Sequence, residues 1–166
     1  MRRMGHQVMG FLERDDARMI VRLAMRQRPE GDMLEVGALY GRSAILLGYL
    51  LRQGESLIVC DPFESHLRGG LWPGLSRTAF EENYLRYHEQ LPDVRQCRSS
   101  EISVVPGSMS LIHLDGDHLL DAAQADIDRA IPWLAEGGLL VVNDFDLDAR
   151  GLAEVARSTT KVAYRV

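Results

Sequence analysis

Apolar positions fall along this chain in two alternating rhythms. Over residues 15–26 they recur three and four apart, with Met19, Ile20, Leu23 and Ala24 on one side, which predicts a helix that Asp15 or Asp16 can cap. After Pro29-Glu30-Gly31-Asp32 comes a short apolar run, Met33-Leu34-Glu35-Val36-Gly37, suited to a buried strand. The alternation then repeats: helix 43–51, strand 57–60 stopping at Asp61-Pro62, helix 78–90, a weak strand 94–98 and a stronger one at 110–115. A helix over 119–134, closed by Gly137-Gly138, leads into the most apolar strand, 139–142, which runs into Asn143-Asp144. Residues 62–76 hold two prolines and three glycines and read as a loop, with Trp72 either a lid contact or an anchor on the core. The tail from Gly151 reads as a helix plus one strand or as a hairpin turning at Ser158-Thr159-Thr160.

Strands separated by helices argue for a mostly parallel sheet covered on both faces, an α/β fold of three layers. A chain of 166 residues and 18.7 kDa fits one domain, 1–166, with residues 1–30 as an N-terminal helical cover. No apolar run approaches the ~20 residues that span a bilayer, and two cysteines make no disulfide scaffold, so the expected setting is cytoplasmic, away from membranes. Cys60 and Cys97 fall in predicted strands and read as buried apolar residues. A net charge of −5 disfavours a protein whose main work is gripping nucleic-acid phosphates. The single lysine, Lys161, removes P-loop phosphate binding and most Schiff-base chemistry.

The first strand ends in Glu35-Val36-Gly37-Ala38-Leu39-Tyr40-Gly41-Arg42-Ser43, directly before a helix. Glycine at 37 allows a sharp turn and a close backbone approach to a ligand, and Gly41 allows close packing where the helix begins. Asp61 closes the second strand, where a carboxylate can accept both hydrogen bonds of a ribose diol. The spacing is E-x-G-x-x-x-G, not the G-x-G-x-x-G of dinucleotide sites, which disfavours a nicotinamide-dependent oxidoreductase. A plain structural turn beside an ordinary strand-end aspartate is the competing reading of these residues.

Four segments in order, LEVGALYGRSA (34–44), IVCDPF (58–63), LIHLDGDHLLDAAQADI (111–127) and GGLLVVNDFD (137–146), resemble the class I S-adenosylmethionine-dependent methyltransferases. The D-G-D-H element followed by a helix and G-G-L-x-x-x-x-D is most similar to the small-molecule O-methyltransferase branch that includes macrolide-sugar enzymes. The resemblance implies a Rossmann-like methyltransferase fold with an abbreviated C-terminal end. It implies that Glu35 and the turn from Gly37 through Ala38 and Tyr40 to Gly41, with Ser43, meet the methionine part of S-adenosylmethionine. Asp61 would hold the ribose hydroxyls; Ser99, Ser100 and Glu101 would hold the adenine; and Asp115 would border the cofactor.

Asp115 and Asp144 each end an apolar strand, and in the strand order that the resemblance implies these strands are neighbours. Strand-end carboxylates suit Mg²⁺, which prefers oxygen ligands and keeps several waters. Asp115, Asp144 and Asp146 are the candidate ligands, with Asn143, Asp146 or no protein group as the third. A hydroxyl on that metal would be oriented and acidified, and His118 beside Asp115 is the candidate base. The competing readings are that Asp117 caps the following helix, that His118 is structural, and that Asp121, Asp126 and Asp128 form a solvated helix face. The expected activity is methyl transfer to a small-molecule hydroxyl; the alternative is a noncatalytic S-adenosylmethionine-binding partner. A shortened sheet edge is one that a second copy, as a homodimer, would cover.

Overall fold

The computed structural model describes residues 8–10, 12–26, 28–64, 72–116, 120–143 and 162–165. Helix α1 (Arg14–Arg26) buries Ile20, Leu23 and Ala24, the stripe expected from the sequence. Asp15 and Asp16 sit inside its first turn, where their charge complements the helix dipole. Strand β1 (Asp32–Val36) follows, then α2 (Arg42–Gly48), β2 (Leu57–Cys60), α3 (Arg77–Leu85), β3 (Asp93–Arg95), β4 (Met109–Leu114), α4 (Leu120–Ala130), β5 (Leu134–Val142) and β6 (Val162–Arg165).

The sheet runs β3-β2-β1-β4-β5-β6, and every described pairing is parallel, so the mostly parallel expectation becomes an entirely parallel one. A parallel sheet must be covered on both sides, and the side-chain alternation shows how. Met33, Leu57, Val59, Leu111, Leu139 and Val141 pack with α1, α2 and α3, whereas Leu34, Val36, Ile58, Ile112, Leu140 and Val142 pack with Ala123, Ile127 and Ala130 of α4. The β4 and β5 ends are adjacent, as the resemblance implied. β6 pairs in parallel with β5; residues 151–161, which decide between helix and hairpin before it, lie outside the described residues. No helix among the described residues is long and apolar enough to cross a membrane.

Several boundaries differ from the sequence pattern. Pro132 cannot continue the hydrogen-bond ladder of α4, so the α-helix stops at Ala130 and a 3-10 turn, Ile131–Trp133, follows. Gly137-Gly138 therefore ends no helix. Met109 pairs with Leu134 and Leu111 with Leu139, so the extra residues on β5 form a bulge. Gly137 takes φ 73° there, and a Cβ on Gly138 would stand 3.0 Å from the Met109 carbonyl oxygen. Helix α3 begins one residue earlier than expected and ends five earlier. Ser76 caps it, accepting from the Ala79 amide at 3.1 Å, and Ser76→Ala is expected to lower the unfolding free energy by about 1 kcal/mol in urea titrations.

Candidate functional site

Successive strands are laid down to one side of β1 as far as β3 and then to its other side from β4, and ligands of such sheets bind beyond the carboxyl ends of the strands at that switch point. The strand ends lie level across the mouth. The Gly37 amide donates to the Cys60 carbonyl at 2.8 Å, Asp115 to Val36 at 2.8 Å and Asn143 to Leu114 at 2.9 Å. A cavity of about 380 Å³ opens beside them, bounded by Gly37, Asp61, Ser99 and Ser100, four of the residues expected at a cofactor. Its volume lies within the range of ligand pockets.

Asp61 is almost fully buried and organises the turn. Its Oδ2 accepts from the Ala38 and Leu39 amides at 2.7 and 3.0 Å, and its Oδ1 accepts from the Phe63 amide at 2.6 Å. Leu39 and Phe63 are the only non-glycine residues with positive φ among those described, at 49° and 53°. One carboxylate thus holds two unfavourable backbone conformations in place. A carboxylate offers about four acceptor positions, so three amides leave about one, on Oδ1. A full bidentate grip on a diol, expected from the sequence, exceeds what remains.

Gly37 is required by a different contact from the one expected. Its φ is 84°, and a Cβ there would meet the backbone of Asp115 and lie 2.8 Å from Gly116 Cα. The close approach is to the β4–α4 connection. Gly41 matches expectation: at φ 93° it opens α2 against the Phe80 ring of α3, 3.0 Å from where its Cβ would stand.

Glu35, Tyr40 and Ser43 support the turn without lining the cavity. The Tyr40 hydroxyl donates to the Pro73 carbonyl at 2.6 Å and its ring meets Trp72 edge to face, so both anchor residues 72–76. Residues 65–71 of the expected lid lie outside the described residues. Glu35 is wholly buried on the α1–α3 side. Glu35 Oε1 faces His113 Nδ1 of β4 at 3.2 Å; Glu35 Oε2 and His113 Nε2 are buried without a hydrogen-bond partner. Burial raises the Glu35 carboxyl above its ordinary value by more than the hydrogen bond and charge of His113 lower it. For His113 burial is the largest influence and opposes protonation, but the hydrogen bond and charge of Glu35, with smaller help from Asp115 and Asp16, raise it overall.

Both shifts mean that the native pair keeps a proton the unfolded chain gives up. The stability held by His113 is complete below its ordinary value of 6.5 and is lost as pH climbs through the raised native value; Glu35 acts with the same sign from 4.5 upward. Urea midpoints are expected to fall steadily from pH 6 toward alkaline pH, and Glu35→Gln is expected to flatten that slope. A rise of stability with pH over this interval contradicts the shared proton.

Two carboxylates line the cavity that the sequence pattern did not point to, Asp126 and Glu64. Asp126 is buried and lines the cavity, with Arg129 Nη1 at 2.6 Å from its Oδ1, whereas Asp121 and Asp128 are exposed as expected. The spacing of Ala122, Ala125, Asp126 and Arg129 places all four on one helical face, the signal that could have found it. Glu64 also lines the cavity, 3.5 Å from Arg98. Asp115 is half-buried at the end of β4 and outside the cavity lining. Asp117, His118, Asp144 and Asp146 lie outside the described residues. Among the described residues no three metal-ligating side chains converge.

The parallel sheet, the carboxylate-braced glycine turn and the cavity at its switch point together make a doubly wound α/β domain. A family model described as a methyltransferase domain matches residues 34–145, and the chain belongs to that family. Among solved structures it is similar to a protein from Listeria monocytogenes assigned as an S-adenosylmethionine-dependent methyltransferase, at 11% identity and TM-score 0.49, over 72% of this chain and 48% of that one. It is also similar to a protein from Thermoplasma acidophilum assigned as a methyltransferase, at 18% identity and TM-score 0.45, over 64% of this chain and 42% of that one. The chain thus corresponds to a little under half the length of each.

Proposed function

We propose that the chain binds S-adenosylmethionine at the strand-end cavity and transfers its methyl group to a hydroxyl of a small molecule. The observation that carries this reading is the coincidence of the family match over 34–145 with a cavity bounded by Gly37, Asp61, Ser99 and Ser100. Asp61 keeps one acceptor position for a ribose hydroxyl, and Glu64, in the same wall, is placed to take the second. Ser99 and Ser100 border the adenine end. When bound, S-adenosylmethionine would supply a sulfonium methyl for in-line attack by the hydroxyl oxygen, with its carbon–sulfur bond breaking as the new carbon–oxygen bond forms. The chain's contribution is to hold the two reactants in register and to accept the hydroxyl proton.

His118 and Asp115 are assigned to that proton. Assistance by Mg²⁺ at Asp115, Asp144 and Asp146 belongs to the proposal as its separable part: turnover that survives exhaustive chelation removes the metal and leaves the rest. Cytoplasmic operation and a homodimer are expectations of the same reading, checked by fractionation and by sedimentation. The test of the whole is calorimetry with S-adenosylhomocysteine and with NADH, followed by transfer of labelled methyl to a panel of sugars and phenols. Binding of the first alone, with labelled product, supports the proposal. Tight binding with no acceptor across the panel favours a noncatalytic partner, and binding of neither nucleotide overturns both.

A further inference from the structure

Cys60 ends β2, is buried, and lines the cavity; Cys97 lies two residues beyond β3 and is half-buried. Their sulfurs stand 3.5 Å apart, and the Cys60 thiol is 3.3 Å from the Cys97 carbonyl oxygen, to which it donates. Arg98, Ser99 and Ser100, the next residues after Cys97, line the same cavity. We propose that Cys60 and Cys97 form a reversible dithiol–disulfide site, oxidised by small-molecule disulfides, whose closure draws the 98–100 wall inward and weakens cofactor binding. A disulfide bond is about 2.05 Å long, so closure shortens the gap by about 1.5 Å. The effect on binding rests on the proposed cofactor reading, whereas formation of the bond does not.

The order of attack follows from access. Burial pushes the Cys60 thiol up, which disfavours its thiolate, so the half-buried Cys97 reacts first. Its thiolate attacks one sulfur of the oxidant, forming a mixed disulfide and releasing one thiol. Cys60 then attacks the Cys97 sulfur, its proton passing to the second departing thiolate. The two protein thiols lose two electrons and two protons, and the oxidant becomes two thiols.

The test treats the reduced full chain with glutathione disulfide and follows it by mass spectrometry and calorimetry. The expected product is lighter by two hydrogen atoms, contains a peptide linking Cys60 to Cys97, and reverts with dithiothreitol. Cys60→Ser is expected to stop at one glutathione on Cys97. Cys97→Ser, at the more exposed position, is expected to remain unmodified while folded. Stable glutathione adducts on the wild type without the link, or unreacted thiols in the folded chain when the urea-unfolded chain reacts, overturn the site. Oxidised protein is expected to bind S-adenosylhomocysteine about tenfold more weakly, a loss of about 1.4 kcal/mol. Equal affinity of the two forms overturns the coupling, and a link formed in protein whose reduced form binds no S-adenosylhomocysteine instead faults the cofactor reading.

Discussion

Asp61→Ala is expected to lower the unfolding free energy by on the order of 4 kcal/mol and to abolish binding of S-adenosylhomocysteine. Three amides, those of Ala38, Leu39 and Phe63, lose their acceptor together. Each buried donor left without a partner costs about 1–3 kcal/mol. The left-handed conformations of Leu39 and Phe63 lose the group that holds them, so the turn that shapes the cavity relaxes with them. Asp61→Asn retains one carbonyl oxygen for Ala38 and Leu39 but can place its amide nitrogen against the Phe63 N–H, so an intermediate loss is expected. Denaturation in urea and calorimetry on the same samples measure both effects. An alanine variant as stable as the parent contradicts the bracing role.

The second large effect is at Gly37. Alanine there must adopt φ near 84° and place its Cβ against the Asp115–Gly116 backbone, which cannot rotate away as a side chain can. The expected loss exceeds about 3 kcal/mol, combining backbone strain with overpacking. Gly74 separates the two contributions: its φ is 73°, yet nothing lies within 4 Å of where its Cβ would stand. Gly74→Ala is therefore expected to cost only about 1–2 kcal/mol, the strain alone. Equal losses at the two positions contradict the close approach of the β4–α4 connection.

The layers of the fold were readable because buried parallel strands are apolar on both faces: Leu57–Cys60 is an unbroken apolar run, and Met109–Leu114 is interrupted only by Ser110 and His113. Boundaries were less so where two signals compete. Gly137-Gly138 suggested a helix end, but Pro132 had already stopped the helix and the glycines serve a bulge.

At the site, residue type was readable and assignment was not. A strand-end aspartate can meet a ribose or brace a turn, and only the distances from Asp61 to Ala38, Leu39 and Phe63 reveal the bracing. His113 stands alone in the sequence, with no metal-ligand spacing around it. Its partner Glu35 is 78 positions away, brought opposite it by the β1–β4 register. Asp126 was read as solvated because a single carboxylate on a mixed helix normally is. It is buried nonetheless, with Arg129 Nη1 2.6 Å from its Oδ1 and the Gly116 backbone beside its Oδ2.

The claim beneath these predictions is that an adenosyl group occupies the cavity beyond β1 and β2. A crystal structure with S-adenosylhomocysteine tests it most directly. The account predicts the ribose against Asp61 and Glu64, and the adenine between Ser99–Ser100 and the Ala122–Asp126 face of α4. Density for the ligand elsewhere on the molecule, with this cavity empty at saturating concentration, contradicts it.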